Sequence, residues 1–287
     1  MRYEAPDSLD AATELLSSEP GVSRILAGGT DLLVQMHAGM TEPDLIVDIK
    51  KIPDLRAIVA EDSGFRIGAA VTGAEMGEHR ELKSAWPGVV EAVELIGSTQ
   101  IQGRATPGGN LCNASPAADS VPAMVAAGAT VTVVGTEGTR EIPVQEICTG
   151  PGQTSLKKGE IVVSFKLPAR PSRSGDAYLR MTPRTEMDIA VVGVGVNLTM
   201  DQEGNCIDAR VAIGAVAPTV LLVPEAAAAL IGTKVDESAL AELASAASAA
   251  CRPIDDKRGT KKYRIKVAGV LAKRAAKIAV ERAGQSL

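Results

Sequence analysis

Two glycine pairs constrain the backbone of this 287-residue chain more than any other feature. They lie in Leu26–Asp31 and Ala105–Asn110, each between a short apolar run and a segment with helical spacing. A glycine pair lets the backbone adopt positive φ and approach a ligand closely, and the amides of a following helix start are free to meet a phosphate. One pair alone is most simply loop geometry. Two pairs, each with a hydroxyl or amide neighbour, predict one large phosphate-bearing ligand held from two sides.

The composition excludes several kinds of partner. Aromatic residues make up only 2% of the chain, so base stacking is not available in quantity and the core must consist of Ala, Val, Ile and Leu. A net charge of −5 argues against a nucleic acid or an anionic membrane as partner. No apolar run reaches the roughly 18 residues of a membrane span, so stable membrane insertion is not expected. No targeting segment is recognisable, and we therefore expect a cytoplasmic location.

The cysteines and histidines give no metal or catalytic signature. The four cysteines are scattered without CxxC or Cys-His spacing, and we interpret them as small buried residues, with Cys112 the one to watch because it follows the second glycine pair. The two histidines, His37 and His79, are expected at the surface or at helix caps. No metal site is predicted in this chain.

The pattern of elements predicts an α+β fold of mixed α/β type in three parts, with boundaries at 1–55, 56–175 and 176–287. The first part has a helix over 8–18, strands over 22–27 and 44–49, and a helix begun by Asp31, which together form a small parallel βαβ-like unit.

The second part combines strands in a mixed or antiparallel sheet with helices. Strands are predicted over 55–60, 65–69, 129–134, 140–143 and 160–167, and helices from Thr72, over 89–96 and from Ser115-Pro116 to Ala127. A linker is predicted at 168–175. Beyond it, the third part is expected to have a hairpin of strands 189–199 and 206–216 and helices over 240–250 and 263–283, the last with Val267, Val270, Leu271 and Ile278 on its apolar face.

The chemistry of the glycine segments favours binding a diphosphate over cleaving it. Thr30 and Thr106 place hydroxyl donors beside backbone amides, a combination suited to pyrophosphate oxygens. Neither segment has the lysine of a P-loop, so phosphoryl transfer would lack its usual cation. Asp31 and Asp119 each have two interpretations, either an interaction with a helix N-terminus or a hydrogen bond to cofactor hydroxyls.

Taken together, the motifs resemble a known family along essentially the whole chain. Leu26-Ala-Gly-Gly-Thr-Asp-Leu-Leu, Thr106-Pro-Gly-Gly-Asn-Leu, Ser115-Pro-Ala-Ala-Asp-Ser-Val-Pro, Tyr178-Leu-Arg-Met with Asp188-Ile-Ala, and the tail Asp256-Lys-Arg-Gly with Tyr263-Arg264 occur in order. In that order they resemble the FAD-binding medium subunit of molybdenum hydroxylases of the carbon monoxide dehydrogenase and xanthine dehydrogenase type. The cysteine-rich insertion of the branch that reduces hydroxybenzoyl-CoA is missing.

The resemblance implies two FAD-binding subdomains followed by a C-terminal α/β domain with an antiparallel sheet and helices. It also implies a cofactor site in which two glycine segments clasp the FAD pyrophosphate, Asp119 holds the ribityl or ribose region, Ile161 or Val162 covers the ring or the adenine, and Arg180 lies near the cofactor. The implied site residues are Leu26, Ala27, Gly28, Gly29, Thr30, Asp31, Leu32, Ile96, Gly97, Gln100, Thr106, Gly108, Gly109, Asn110, Asp119, Ile161, Val162 and Arg180.

The implied function is electron relay without a catalytic side chain. A large molybdenum-cofactor subunit would oxidise the substrate, a small [2Fe–2S] subunit would pass electrons to this chain's FAD, and NAD or another acceptor would receive them, in a dimer of heterotrimers. Two other classes stay open at this stage: a nucleotidyltransferase-like enzyme, although Thr30-Asp31-Leu32 follows where its signature needs Gly-Thr-Arg, and a non-catalytic assembly module. A stand-alone flavin oxidase is a lesser variant.

Overall fold

The computed structural model describes residues 1–285, so the last two residues of the predicted C-terminal part, 286 and 287, lie outside the described residues. It confirms the mixed α+β class, with three main sheets and their helices. The strands are β1 (Arg2–Glu4), β2 (Ser23–Leu26), β3 (Leu45–Asp48), β4 (Ile58–Glu61), β5 (Gly64–Gly68), β6 (Thr130–Gly135), β7 (Gly138–Pro143), β8 (Cys148–Gly150), β9 (Gln153–Thr154), β10 (Ile161–Pro168), β11 (Ser174–Met181), β12 (Val192–Met200), β13 (Cys206–Gly214) and β14 (Leu221–Leu222). The helices are α1 (Leu9–Ser18), α2 (Leu32–His37), α3 (Gly73–Glu78), α4 (Arg80–Ala85), α5 (Pro87–Glu94), α6 (Thr99–Gln102), α7 (Pro107–Cys112), α8 (Ser120–Ala126), α9 (Pro224–Ala228), α10 (Glu237–Ala250) and α11 (Lys261–Gln285).

The first sheet is parallel, as the βαβ-like pattern predicts. Its strand order is β1-β3-β2, and the central strand β3 is buried along its whole length because both faces are covered. The Ser8 side chain caps α1 by accepting from the Ala11 amide, which agrees with the predicted helix start. The edge strand β1 has only three residues and was not predicted.

The second sheet is antiparallel, with strand order β4-β5-β10-β6-β7. Its first strand begins later than predicted, since Pro53–Arg56 forms a 3₁₀ turn and β4 starts only at Ile58. Six helices, α3 to α8, connect β5 to β6. The predicted helix start at Thr72 is confirmed by a capping box with Glu75. The His79 side chain caps α4 through Nδ1, and a helix cap is one of the two positions predicted for the histidines.

Two predicted helix boundaries around the second glycine pair are wrong. The pair does not form an open turn, because Gly108 and Gly109 lie in the first turn of α7 behind the cap residue Thr106. The next helix does not begin at Ser115-Pro116 either. The Ser115 hydroxyl accepts from the Ala117 amide in a local turn, and α8 starts only at Ser120.

The third sheet is antiparallel, with strand order β11-β12-β13-β14. The long helix α11 packs against this sheet, and the residues on its buried face differ from the apolar face that was predicted. Alanines dominate that face, whereas Val270 is 41% exposed. The close approach of α11 to β11 explains the alanines, since a Cβ at Gly175 would lie 1.8 Å from the Ala279 carbonyl oxygen. Strand β11 also begins inside the predicted linker 168–175.

The second and third sheets are joined through α8. A Cβ at Gly195 on β12 would lie 2.6 Å from the Pro122 carbonyl oxygen, and a Cβ at Gly214 on β13 would lie 2.7 Å from the Pro122 ring. Arg210 of β13 donates two hydrogen bonds to the Val125 carbonyl near the end of α8. The helix and the sheet therefore meet backbone to backbone. No helix within residues 1–285 is long and apolar enough to cross a bilayer.

The contact between α11 and β11 gives a stability test. Gly175→Ala places a methyl group against backbone that cannot rotate away, and we expect a loss of about 3 kcal/mol in the free energy of unfolding. The control is Gly103→Ala, where no heavy atom lies within 4 Å of the added Cβ. Urea unfolding of both variants measures the difference, and equal stability of the two would contradict the packing described here.

Candidate functional site

The structure brings the two glycine segments into backbone contact. A Cβ at Gly28 would lie 2.0 Å from the Arg104 carbonyl oxygen and 3.2 Å from the Ala105 Cα, so only glycine fits at this position. Position 108 also requires glycine, because a Cβ added there would lie 2.5 Å from the Ala69 carbonyl oxygen. These two glycines are thus explained by packing, before any ligand is considered.

One cavity of about 480 Å³ lies between the two segments. This volume falls within the roughly 300–1,000 Å³ of typical ligand pockets. The predicted residues that line it are Ala27, Gly28, Gly29, Thr30, Asp31, Leu32, Ile96, Thr106, Gly108, Gly109, Asn110, Ile161 and Val162. The predicted residues Leu26, Gly97, Gln100, Asp119 and Arg180 are not part of this lining.

The first glycine segment offers unpaired donors. Within residues 1–285, the backbone amides from Gly28 to Asp31 donate to no protein acceptor. Gly29 has a φ of +84°, a conformation that turns the chain sharply before α2. Asp31 is the cap residue of α2, as the predicted helix start requires, but its side chain makes no capping hydrogen bond. Successive free amides at a helix start form a site for an anion such as a diphosphate.

The second segment differs, because the amides of Gly108, Gly109 and Asn110 already have partners within the protein. The Gly109 amide donates to Thr106 Oγ1 at 3.0 Å, and the Gly108 amide donates to the Ala69 carbonyl at 3.0 Å. The Thr106 hydroxyl, expected to face a phosphate, is instead the cap of α7 and belongs to a residue only 2% exposed. Gly109 itself leaves space, since the only neighbour of an added Cβ is Thr106 Oγ1 at 3.0 Å.

Asn110 contributes an oriented amide group to the cavity. Its Oδ1 accepts from both the amide and the hydroxyl of Ser120, at 3.2 and 2.6 Å. These two hydrogen bonds fix the orientation of the side chain. Among the described residues, the Asn110 Nδ2 group donates to no protein acceptor. A fixed NH₂ group beside free backbone amides is suited to an oxygen-rich ligand.

A side-chain bridge that the sequence analysis missed ties the two segments together. Asn113, the residue that follows α7, donates to Asp31 Oδ1 at 3.2 Å and accepts from Gln35 Nε2 at 3.0 Å. Gln35 and Asn113 also line the cavity. The spacing of Asn113 three residues after Asn110 on a helix was the only signal that could have indicated it.

Basic residues lie along one part of the cavity wall. Arg24 of β2 and the pair Lys157-Lys158, just before β10, are among the lining residues. Lys157 also donates to Glu137 at 2.8 Å in an exposed ion pair. Positive charge at the rim attracts an anionic ligand. Cys112, interpreted as a buried residue, is exposed and also lines the cavity.

Asp119 lies in a buried polar cluster rather than in the cavity wall. Tyr178 Oη donates to its Oδ1 at 2.9 Å, and Arg180 Nη1 donates to its Oδ2 at 2.7 Å. Burial raises the pKa of Asp119 from 3.8 to about 6, although the Arg180 charge and the two hydrogen bonds lower it. Arg180, whose plain interpretation is a surface arginine, has a side chain only 5% exposed. The cluster connects the start of α8 to β11.

The other predicted residues outside the lining have separate positions. Leu26 ends β2 and is half-buried. Gln100 lies in α6 and is exposed. Gly97 has a φ of +65°, and its carbonyl accepts from the Met187 amide at 3.0 Å, which links the second part of the chain to the loop between β11 and β12. The part of these residues in a cofactor site stays a prediction.

Comparison with known proteins assigns the family. Residues 1–170 match the family model described as FAD binding domain in molybdopterin dehydrogenase, and residues 177–279 match the CO dehydrogenase flavoprotein C-terminal domain. The chain belongs to the FAD-binding subunits of molybdenum hydroxylases. Its cofactor is FAD and its class is oxidoreductase, as the resemblance implied. A family of FAD-binding domains leaves no support for the nucleotidyltransferase alternative.

Relatives and solved structures agree along the whole length. The chain is 31% identical over 287 residues to the xanthine dehydrogenase FAD-binding subunit of Escherichia coli O157:H7, covering 99% of this chain and 98% of the relative. It is 34% identical over 281 residues to the carbon monoxide dehydrogenase medium chain of Afipia carboxidovorans, covering 98% and 97%. Reconstituted CO dehydrogenase from Oligotropha carboxidovorans contains a chain that matches with a TM-score of 0.94 at 33% identity, covering 98% of each chain.

The Asp119 cluster gives a pH-dependent prediction. Removing the guanidinium in Arg180→Met raises the pKa of Asp119 further, because that charge lowers it. In the unfolded chain the Asp119 carboxyl has its ordinary pKa of 3.8 and releases its proton above about pH 4, whereas the native variant keeps it. The free energy of unfolding of the variant therefore falls as the pH rises. We expect a loss of about 3 kcal/mol at pH 7.5, where the native state must either hold a proton that the unfolded chain has released or carry a buried charge without its arginine partner, and a clearly smaller loss at pH 5.

Chemical unfolding at the two pH values measures this effect. The control is Arg184→Met, whose side chain is 70% exposed and should change little at either pH. A loss for Arg180→Met that is the same at pH 5 and pH 7.5 would exclude Asp119 as its cause.

Proposed function

We propose that this chain is the electron-relaying flavoprotein subunit of a multi-subunit molybdenum hydroxylase. The observation that carries the proposal is the cavity lined by both glycine segments, with consecutive unpaired amides from Gly28 to Asp31 on one wall. The first segment and Asn110 would hold the diphosphate of FAD, and the apolar side chains of Ile161 and Val162 would cover its ring or its adenine. The remaining predicted contacts, Asp119 and Arg180 among them, are part of this proposal.

The residues present fit the cofactor in chemistry as well as in space. The diphosphate needs hydrogen-bond donors, and the amides of the first segment and the Asn110 amide supply them. Arg24, Lys157 and Lys158 add positive charge at the rim. Bound FAD would supply the redox chemistry, whereas the chain would position the ring and limit its contact with water. No side chain of this chain need act as an acid, a base or a nucleophile.

The partners follow from what the relatives are. Two of the relatives are named as subunits or chains of xanthine and carbon monoxide dehydrogenases, which are larger assemblies. We therefore propose a large molybdenum-cofactor subunit and a small [2Fe–2S] subunit as partners, in a dimer of heterotrimers in the cytoplasm. Electrons would pass from the iron–sulfur clusters to FAD and on to NAD or another acceptor. The large subunit would determine the substrate.

Purification tests the cofactor and the partners together. We expect the complex isolated from its native host through a tag on this chain to be yellow, with one FAD per copy of the chain and two further subunits in equal amount. Absorbance spectra, flavin extraction and mass spectrometry of the subunits measure these quantities. A colourless chain that does not bind added FAD, and is purified without partners, would instead favour the assembly-module alternative.

Gly109 tests the position of the diphosphate. In Gly109→Val the new side chain meets only the Thr106 hydroxyl within the protein and otherwise projects toward the cavity, so we expect FAD content to fall at least tenfold. The control is Gly103→Val, where the added Cβ has open space around it and FAD content should be unchanged. Unchanged flavin content in Gly109→Val would mean that the cofactor lies elsewhere.

A further inference from the structure

Lys50 lies directly behind the first glycine segment. Its Nζ donates to the Ala27 carbonyl at 3.0 Å and forms an ion pair with Asp48 Oδ1 at 2.8 Å. The side chain is 26% exposed and is not among the residues that line the cavity. Lys50 therefore contacts the backbone of the segment from the side away from the proposed ligand.

The peptide bond between Ala27 and Gly28 transmits this contact. The described chain has no cis peptide bonds, and in a trans peptide the C=O and N–H groups point in opposite directions. By holding the Ala27 carbonyl, Lys50 also fixes the direction of the Gly28 amide, the first of the unpaired donors on the cavity wall. A peptide plane held in this way does not need to reorient when an anion binds, which lowers the entropic cost of binding.

A short network in turn holds Lys50. Asp48, at the end of β3, accepts from the Lys50 backbone amide at 3.0 Å through Oδ1 and from Tyr3 Oη at 2.6 Å through Oδ2. Burial acts to raise the pKa of Asp48, but the bonds from Lys50 and Tyr3 outweigh it and hold the pKa below its usual value. The carboxylate therefore stays charged near neutral pH and keeps Lys50 in place.

We propose that Lys50 is a positioning residue for diphosphate binding, which acts through the Ala27 carbonyl. The segment itself has no lysine of the P-loop kind, and Lys50, which is paired with Asp48, contacts the backbone of the segment rather than the cavity. The inference rests on the proposed function, since it takes the diphosphate of FAD as the ligand. The contacts of Lys50 are independent of that assumption.

The test compares FAD with ADP, which retains the diphosphate but lacks the flavin. Dissociation constants are measured on the full-length chain freed of flavin, by flavin fluorescence for FAD and by calorimetry for ADP. We expect Lys50→Met to weaken both ligands by the same factor, about tenfold. Lys50→Arg keeps a donor and a charge and should restore binding to within about threefold. Rescue by arginine separates positioning from a loss of fold.

Two further variants complete the design. Lys51→Met removes the exposed neighbouring lysine and should leave both dissociation constants unchanged, which controls for net charge. Tyr3→Phe removes one hydrogen bond to Asp48 at an exposed position, and we expect it to weaken the binding of both ligands by about threefold. This variant provides the test if Lys50→Met does not fold.

The outcomes separate the two proposals. If the wild-type chain binds FAD and ADP and both the Lys50→Met and Tyr3→Phe variants bind them equally well, the role of Lys50 is overturned and the cofactor assignment stands. If Lys50→Met weakens binding and Lys50→Arg weakens it equally, the proposed role of Lys50 is also overturned. If the wild-type chain binds neither ligand, the proposed function fails, and the inference about Lys50 fails with it.

Discussion

The approach of Gly28 to the Arg104 carbonyl is the contact on which the rest of the site depends. It sets the distance between the first glycine segment and the chain that leads into α7, and the cavity is lined by residues from both of these pieces of backbone. Any side chain at position 28 would force them apart. The first and second parts of the protein are thus held in register by main-chain atoms, and Asn113 adds a side-chain bridge.

The two glycine segments look alike in sequence but have different physical roles. In the first, the amides have no protein acceptors and can meet a ligand. In the second, the amides of Gly108 and Gly109 already donate to the Ala69 carbonyl and to the cap residue Thr106, so these glycines supply close packing and open space rather than donors. An anion between the segments would therefore be bound asymmetrically, with most hydrogen bonds from one side.

The sequence predicts the sheets better than the helix starts, for a physical reason. Apolar runs with clear alternation identify β10, β12 and β13 with small boundary errors, because burial determines those strands. The α7 helix was missed because two glycines have low helix propensity, and packing against Ala69 overrides that preference. The alanine face of α11 could not be recognised from hydrophobicity, since its close approach to β11 is set by a strand far away in the chain.

The same distinction holds for the site. The predicted residues that line the cavity come mostly from segments continuous in sequence, whereas contacts between residues distant in sequence were not predicted. The contacts of Asp119 with Tyr178 and Arg180 join residues about sixty positions apart, and only the fold brings them together. Asp119 does lie at the cap position of α8, but its carboxylate makes no capping hydrogen bond and is held by these two partners instead.

The glycine-lined packing of α8 on the third sheet has a consequence for motion. With the Pro122 carbonyl already where a Cβ would be on β12, the helix cannot slide along the strands without backbone collision. Shear between these layers is thereby suppressed, and hinge bending there would have to break the arginine clamp on the Val125 carbonyl. The second and third sheets would therefore move as one body, and any relative motion within the chain would have to occur at other boundaries.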